Sequence, residues 1–292
     1  MSLKIGDLTI HRIVEQEAPL FDVLKFFPTL TSELLDENRD WLQPRFLDPA
    51  TDRLVLCIQS YLVQTPHHNI LIDSCVGNHK PRPARPFWHM LSSDRYERGL
   101  ATTGLTVGDI DYVMCTHLHV DHVGWNTRLE NGRWVPTFPN ARYVFSAKEL
   151  ATWRDQGHPS FARTPYEDSV HPIVEACRAD LVANDYALDD EVWLEPTPGH
   201  TPDHVAIRLA SRGEDAVMCG DLMHSPVQCL HPQWAPWPDW DAEVARHTRR
   251  AFLEQYADTS TLVCTAHFPL PSAGRVVSEG DAFRFVYDEQ SW

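Results

Sequence analysis

The sequence lacks a long apolar run. No stretch of its 292 residues approaches the roughly 20 consecutive apolar residues that a membrane-spanning helix needs. Residues 1–20 alternate polar and apolar side chains and contain no signal-peptide core. No low-complexity tract, repeat array or polar linker divides the chain. We therefore expect no membrane association, a cytoplasmic location and a single domain over residues 1–292.

Paired cysteines are also missing. The seven cysteines are odd in number and form no Cys-x-x-Cys pair. Four of them lie in apolar, strand-like runs, where a thiol usually acts as a small buried hydrophobe: Cys57, Cys115, Cys219 and Cys264. The cysteine pattern predicts a reducing compartment rather than a disulfide scaffold.

Basic residues are scarce relative to acidic ones. The chain has 25 Lys and Arg against 41 Asp and Glu, which gives a formal net charge of −16. A protein of this charge repels nucleic acid and anionic membranes, so we expect neither as a partner. The expected partner is a small-molecule substrate.

Histidine, in contrast, is abundant, and it is concentrated in residues 116–125, which read Thr-His-Leu-His-Val-Asp-His-Val-Gly-Trp. This segment directly follows an apolar run and contains four side chains of metal-ligand type: His117, His119, Asp121 and His122. In an extended segment residues i and i+2 point to the same side, so the first three could converge while His122 points elsewhere. Imidazole and carboxylate ligands suit zinc, with manganese, iron, cobalt and nickel as other occupants. A solvated polar loop is the alternative, but the complete pattern after a strand favours metal binding.

Three further candidates stand just beyond short apolar runs in the second half of the chain: His200, Asp221 and His267. Each of them alone is more often structural than functional. Short strands are rigid bases from which loops can aim side chains at one place, so the recurrence supports a common site. Asp73 ends the run Ile-Leu-Ile-Asp, where its carboxylate could hydrogen-bond a ligand histidine and fix its ring.

Strand and helix patterns alternate along the chain, which predicts an α/β protein with two sheets inside and helices outside. Residues 15–50 are rich in aromatic side chains and read either as a cap over the edge of the core or as a flap that lines a pocket. Residues 157–172 read as a long loop, of the kind that is functional or mobile.

These motifs together resemble the metallo-β-lactamase superfamily. The matching segments are, in order, residues 70–73, 117–122, 199–202 (Gly-His-Thr-Pro), 220–221 and 266–267. The resemblance implies an αβ/βα four-layer sandwich, with two central mixed β-sheets flanked by helices and a dinuclear metal site at one edge. The carboxyl-terminal third is most similar to methyl parathion hydrolase and the related lactonases. Related enzymes are often dimers, so a homodimer is an open possibility.

The resemblance also implies a ligand set for two divalent cations, most readily Zn²⁺. His117, His119 and His200 would bind one metal, Asp121, His122 and His267 the other, and Asp221 would bridge them. The hypothesis that follows is a hydrolase in which a metal-bridging hydroxide, available near neutral pH because metals acidify water, cleaves an ester, lactone or phosphotriester bond. The substrate would be small and partly apolar, and Asp121 or Asp221 would accept the proton.

Trp125 departs from the family pattern, because many relatives have a second glycine there. Either the loop is restricted or the indole faces the pocket. His204 is expected to steady its loop, His224 to be a surface or packing residue, and the tryptophan-rich run 234–240 to carry no chemistry. Two alternatives remain: an iron-dependent redox enzyme of the same fold, and a non-catalytic metal-bound module that binds ligands.

Overall fold

The computed structural model describes residues 2–156 and 164–289. The chain forms two compact units. Unit 1 comprises Met1–Glu15 and Ile58–Tyr186, and unit 2 comprises Gln16–Cys57 and Ala187–Trp292. The backbone passes from one unit to the other three times: within β2 (Leu8–Asp22), within β3 (Arg53–Gln64), and between Tyr186 and Ala187. The single domain expected over residues 1–292 stays a prediction.

Unit 1 is built on strands of a seven-stranded mixed sheet with the order β1-β2-β3-β4-β5-β8-β9. Besides β2 and β3, its strands are β1 (Leu3–Ile5), β4 (Asn69–Ile72), β5 (Tyr112–Met114), β8 (Arg142–Ser146) and β9 (Ala179–Val182). A separate hairpin consists of β6 (Thr127–Glu130) and β7 (Arg133–Pro136). The helices of this unit are α3 (Arg95–Ala101), α4 (Ala147–Asp155) and α5 (His171–Glu175), and Tyr166–Val170 forms a π-helical segment.

Two short strands of unit 1 position the histidine-rich motif. The Ile-Leu-Ile run of β4 is buried throughout, as is typical of an inner strand covered on both faces. It pairs in parallel with β5, with Ile72 opposite Met114. Parallel neighbours end at the same edge of a sheet, so the segment that starts at Asp73 and the segment that starts at Cys115 leave the sheet side by side.

Unit 2 is built on a six-stranded sheet with the order β10-β11-β12-β13-β14-β15. Its strands are β10 (Val192–Pro196), β11 (Val205–Ser211), β12 (Glu214–Met218), β13 (Leu262–Cys264), β14 (Ala273–Glu279) and β15 (Ala282–Tyr287). Strands β12 and β13 are parallel, and the other neighbours are antiparallel. The helices are α1 (Val23–Phe26), α2 (Ser32–Leu42), α6 (Val227–Leu230) and α7 (Ala242–Tyr256).

Helix α7 closes the core of unit 2. Its Asp241 cap accepts hydrogen bonds from the backbone N–H groups of Glu243 and Val244, which would otherwise lack helical partners. Its buried positions repeat at helical spacing: Ala245, Arg249, Phe252, Leu253 and Tyr256. Phe252, Leu253 and Tyr256 pack against buried side chains of β12, β13 and β14, so the helix and the sheet share one hydrophobic core.

The structure revises one element predicted from the sequence. Of the loop expected at 157–172, residues 157–163 lie outside the described residues, but the chain is helical from Tyr166 onward. The loop prediction is wrong there because Asp168 is buried and accepts two hydrogen bonds from Arg82, at 2.7 and 2.9 Å, beside the buried Lys80. In the segment 15–50, helices α1 and α2 bury Val23 and Leu35.

Among residues 2–156 and 164–289, the helices are all too short or too polar to cross a membrane.

Candidate metal centre

The histidine-rich motif of unit 1 is buried at the end of β5. His117, His119 and His122 expose 1–2% of their surface. The ring of His117 lies 4.5 Å from that of His119 and 4.1 Å from that of His122. The expectation that Asp121 shares a side with His117 and His119 is wrong. The His122 N–H donates to the His119 carbonyl at 3.1 Å, and this turn places the Asp121 carboxylate 4.0 Å from His122 Nε2.

Asp73 fixes the orientation of His122, as predicted. Its Oδ2 accepts from His122 Nδ1 at 2.8 Å and from the Thr116 hydroxyl at 2.9 Å, while Oδ1 accepts from the Thr116 backbone N–H at 2.8 Å. The Thr116 hydroxyl in turn accepts from His117 Nδ1 at 3.0 Å. Since Nδ1 is occupied in both histidines, Nε2 is the nitrogen that remains for a metal.

The loops that follow β4 and β5 are locked together by their backbones. Ser74 N–H donates to the His122 carbonyl, Gly124 N–H to the Cys75 carbonyl, and Trp125 N–H to the Ser74 carbonyl, each at 2.7 Å. A Cβ on Gly124 would lie 1.9 Å from the carbonyl oxygen of Val76, so only glycine fits. The motif is therefore held on a rigid double loop.

Trp125 is a restriction on this loop and not an exposed pocket residue. Its indole is 4% exposed and stacks on Tyr96 at 4.9 Å, with 11° between the rings. The indole N–H donates to Glu15 Oε1 at 2.6 Å, and the same carboxylate accepts from the backbone N–H groups of Val76 and Gly77. Burial raises the pKa of Glu15 despite these three hydrogen bonds. Glu15 thus ties the loop after β4 to the loop after β5.

In unit 2, Asp221 is the centre of a second cluster. It lies in the 3-10 turn Gly220–Leu222, just after β12. Its Oδ2 is 3.1 Å from His200 Nε2, and its Oδ1 is 2.9 Å from His267 Nε2. All three side chains are buried. One carboxylate therefore presents a different oxygen to each of two imidazoles.

His200 is held by residues that are distant in sequence. Its Nδ1 donates to Asp239 Oδ1 at 2.7 Å, and Asp239 also accepts from the buried Arg249 at 3.4 Å. Burial lowers the pKa of His200, but the Asp221 and Asp239 carboxylates outweigh that effect and raise it to about 9. A Cβ on Gly199 would lie 2.3 Å from a backbone nitrogen of α7, so the turn packs directly on that helix.

The remaining contacts of Asp221 and His267 complete the support. His267 Nδ1 donates to the Cys57 carbonyl at 2.9 Å. The backbone N–H of Asp221 donates to His204 Nε2 at 3.0 Å, and the ring of His204 is fixed on its other side by Thr197 at 2.8 Å. The prediction that His204 steadies its loop is confirmed.

Sequence reasoning missed two residues of this cluster. His224 is not a surface or simple packing residue, because it is buried, lies 3.2 Å from Asp221 Oδ2 and stacks on His267 at 5.1 Å. Burial lowers its pKa to about 4, although Asp221 opposes the shift. Asp239 lies in the run 234–240, which was expected to carry no chemistry. The one usable signal was the three-residue spacing from Asp221 to His224, which brings both to one side of a tight turn.

The donor chemistry of both clusters fits divalent metal ions. In unit 1, the ligand atoms of His117 and His119 lie within 4.8 Å of each other. The ligand atoms of Asp121 and His122 form a second pair within the same distance. In unit 2, the ligand atoms of Asp221, His224 and His267 also lie within 4.8 Å of one another. Buried imidazole Nε2 atoms, with Nδ1 anchored by carboxylate, hydroxyl or carbonyl oxygens, are what zinc and similar ions bind in proteins. The chain therefore carries His/Asp groups able to hold a metal.

Comparison with known proteins places these residues in a family context. The family model of the metallo-beta-lactamase superfamily matches residues 58–267. N-acyl homoserine lactonase of Bacillus cereus is 22% identical over 224 residues, which cover 73% of this chain and 82% of the relative. A probable metallo-hydrolase of Mycobacterium tuberculosis is 23% identical over 185 residues, or 59% of this chain and 58% of the relative. An uncharacterised protein of Caenorhabditis elegans is matched over 45% of its length, so the chain spans about half the length of several curated relatives.

Solved structures show the same fold over nearly the whole chain. AidC, a dizinc quorum-quenching lactonase in complex with the product N-hexanoyl-L-homoserine, has a TM-score of 0.80 at 22% identity, over 98% of this chain and 96% of AidC. AbOPH, a hydrolase in the β-lactamase superfamily, has a TM-score of 0.82 at 22% identity, with the same coverage. The predicted α/β fold with mixed sheets is confirmed. With a family match that covers most of its length, the chain belongs to the metallo-β-lactamase superfamily.

Proposed function

We propose that the chain is a dinuclear metal-dependent hydrolase that cleaves an ester, lactone or phosphotriester bond of a small, partly apolar substrate. The observation that carries this proposal is the Asp221 carboxylate. Its two oxygens face two different buried imidazoles, His200 at 3.1 Å and His267 at 2.9 Å. This is the arrangement that a carboxylate bridging two cations requires, because each oxygen serves a different ion.

The proposed ligand set is the one implied by the sequence motifs. His117, His119 and His200 would hold one cation, Asp121, His122 and His267 would hold the other, and Asp221 would be a ligand of both. All seven residues lie within the segment that the family model matches. The preferred ion is Zn²⁺, since its ligands in proteins are imidazole and carboxylate when thiolates are absent. The described cysteines nearest in sequence, Cys115 and Cys219, are buried in the core and have pKa values raised well above their usual range by burial.

The chemistry divides between the cations and the side chains. Divalent cations at these ligands would supply the Lewis acid that polarises the scissile carbonyl or phosphoryl oxygen and the activation of water at neutral pH. Asp221 is fixed by its contacts to His200 and His267 and by the hydrogen bond from its own N–H to His204. Asp121 is more accessible, with 12% of its side chain exposed against 4% for Asp221. We therefore assign the proton-accepting role to Asp121.

Among the three substrate classes we place lactones first. The support is the relation to the N-acyl homoserine lactonase of Bacillus cereus, over 82% of that protein. A lactone is uncharged and partly apolar, which suits a chain with a formal net charge of −16, since the protein does not repel it electrostatically.

Metal analysis of the purified protein together with a hydrolysis screen tests this function. We expect about two divalent ions per chain and turnover of at least one panel of lactones, aryl esters or phosphotriesters. Asp221→Ala should lose both metal and turnover, whereas Asp241→Ala, a helix-cap change in the same unit, should keep both. Two metals with no turnover on any panel would support a non-catalytic metal-bound module. Iron with an oxygen-dependent reaction would support a redox enzyme.

A further inference from the structure

His224 is a buried imidazole at the centre of unit 2 to which the proposed ligand set gives no role. Its ring lies 5.1 Å from the ring of His200 and 5.1 Å from the ring of His267. Its Nε2 is 3.2 Å from Oδ2 of Asp221, which is within hydrogen-bonding distance. Two roles fit this position. His224 either binds a cation together with Asp221 and His267, or donates a hydrogen bond to Asp221.

The neighbours of His224 hold its ring in place. The ring stacks on that of His267 with 14° between the planes, and Phe26 meets it edge-on at 5.2 Å. The backbone N–H of His224 donates to Gln228 Oε1 at 2.7 Å, and Gln228 Nε2 donates to the carbonyl of Trp234 at 2.9 Å. Because both the ring and its backbone are fixed, Nε2 faces Asp221 in a set orientation.

The other ring nitrogen distinguishes the two roles. Nδ1 of His224 is buried and has no hydrogen-bond partner among the described residues. The proposed ligands His122, His200 and His267 differ, because each donates from Nδ1 to an oxygen. A neutral histidine that binds a metal through Nε2 carries its proton on Nδ1 and needs such an acceptor. His224 therefore lacks the surroundings of a metal ligand.

The donors and acceptors of the imidazole select one protonation form of His224. In the charged form and in the neutral form with the proton on Nδ1, a buried N–H would have no acceptor. In the neutral form with the proton on Nε2, that proton faces Asp221, and only an acceptor stays unpaired. Buried N–H groups without a partner are rarer than buried acceptors without one, so the surroundings favour the Nε2–H form.

We propose that His224 is a positioning residue of the metal centre, whose Nε2–H donates to Oδ2 of Asp221. This hydrogen bond holds the carboxylate with one oxygen towards His200 and the other towards His267. The inference rests on the proposed function, in which Asp221 is a ligand of both cations. A carboxylate that is already oriented loses less freedom when cations bind, so His224 raises their affinity without binding one itself.

A matched pair of substitutions tests the hydrogen bond. In His224→Gln the amide nitrogen can take about the position of Nε2, whereas in His224→Asn it reaches only the position of Nδ1. Both variants lose the ring, so the difference between them isolates the hydrogen bond to Asp221. In competition with a chromophoric zinc chelator, we expect His224→Asn to bind zinc about 10- to 100-fold more weakly than wild type and His224→Gln to recover most of that loss. His247→Asn, at an exposed position of α7, should bind zinc as the wild type does.

The position of the proton can also be measured in the wild-type protein. Heteronuclear NMR of zinc-loaded protein with isotope-labelled histidine nitrogens should show a proton on Nε2 of His224 and none on Nδ1. The signals are identified by their absence from His224→Gln. A proton on Nδ1 would overturn the proposal, and so would equal zinc affinities in His224→Gln and His224→Asn.

These measurements separate the role of His224 from the proposed hydrolysis, because neither of them requires turnover. A protein that binds zinc but hydrolyses none of the substrate panels would refute the proposed function and leave the hydrogen bond to Asp221 standing. A protein that hydrolyses a substrate but carries the His224 proton on Nδ1 would do the reverse.

Discussion

From the contact between His200 and Asp239 we predict how a substitution at Asp239 changes the affinity for metal. Asp239 accepts from His200 Nδ1 at 2.7 Å, so it holds the imidazole in the tautomer that leaves Nε2 for a metal. In Asp239→Asn the side chain keeps its shape, but it loses its negative charge and one of its two acceptor oxygens. Loss of such an outer partner typically weakens metal binding 10- to 100-fold, or about 1.4–2.7 kcal/mol.

The fold should survive this substitution. Arg249 also donates to the carbonyls of Leu222 at 2.7 Å and Pro232 at 2.8 Å, so its guanidinium keeps partners when the carboxylate is gone. We expect a loss of about 1–3 kcal/mol in the free energy of unfolding, measured by urea denaturation of the metal-free protein.

Competition of the metal-free variant with a chromophoric zinc chelator measures the affinity. Glu243→Gln is the matched control, because it removes the same charge from an exposed side chain at the start of α7. A zinc affinity of Asp239→Asn within twofold of the wild-type value would show that Asp239 does not orient a ligand, and the assignment of His200 would lose its main support.

Three further predictions concern unit 1. Burial lowers the pKa of Lys80 from 10.5 to about 7. Between these two pH values the unfolded chain therefore binds more protons than the folded one. The free energy of unfolding then rises with pH, by at most about 1.4 kcal/mol per pH unit. Urea denaturation from pH 7 to 10 should show that the stability of the wild type relative to Lys80→Met rises with this slope, and parallel profiles would contradict it. Gly124→Ala should cost about 1–3 kcal/mol and reduce metal content, because its Cβ would meet a carbonyl oxygen at 1.9 Å. Gly108→Ala should do neither, because the atom nearest to its Cβ is the Thr106 hydroxyl oxygen at 3.6 Å, an ordinary contact distance. Trp125→Phe removes the hydrogen bond to the buried Glu15 and should lower the free energy of unfolding by about 1–3 kcal/mol, and equal urea midpoints would contradict that role.

The sequence predicted those parts of the site that local order determines. His117, His119 and His122 are separated by only a few residues and follow a strand, so their proximity needs no knowledge of the fold. Asp73 was predictable as well, because it ends a strand whose character is clear from its apolar run. Even there, the simple alternation of an extended chain failed at Asp121, where a hydrogen-bonded turn replaces the extended backbone.

Contacts between segments that are distant along the chain could not be predicted from a single sequence. Asp239 reaches His200 across 39 residues of chain, and Arg82 reaches Asp168 across 86. No periodicity links such pairs, because their contact depends on how helices and strands pack in three dimensions. The helix at Tyr166–Glu175 was missed for this reason, since an ion pair with a remote arginine fixes a segment whose prolines and polar residues resemble a loop.

The proposed histidine ligands donate from Nδ1 to different kinds of acceptor, and this difference affects how strongly each metal binds. His122 and His200 donate from Nδ1 to carboxylates, whereas His267 donates to the carbonyl of Cys57. An imidazole that donates to a carboxylate is the more basic ligand, so it binds a cation more strongly. In the proposed set these two histidines belong to different cations. Asp73→Asn should therefore weaken the binding of one cation, and Asp239→Asn should weaken the binding of the other. Under mild chelation each variant should lose metal until about one ion per chain remains. Loss of both ions in either variant would mean that the two sites are filled only together, and retention of both would mean that the carboxylates contribute little to affinity.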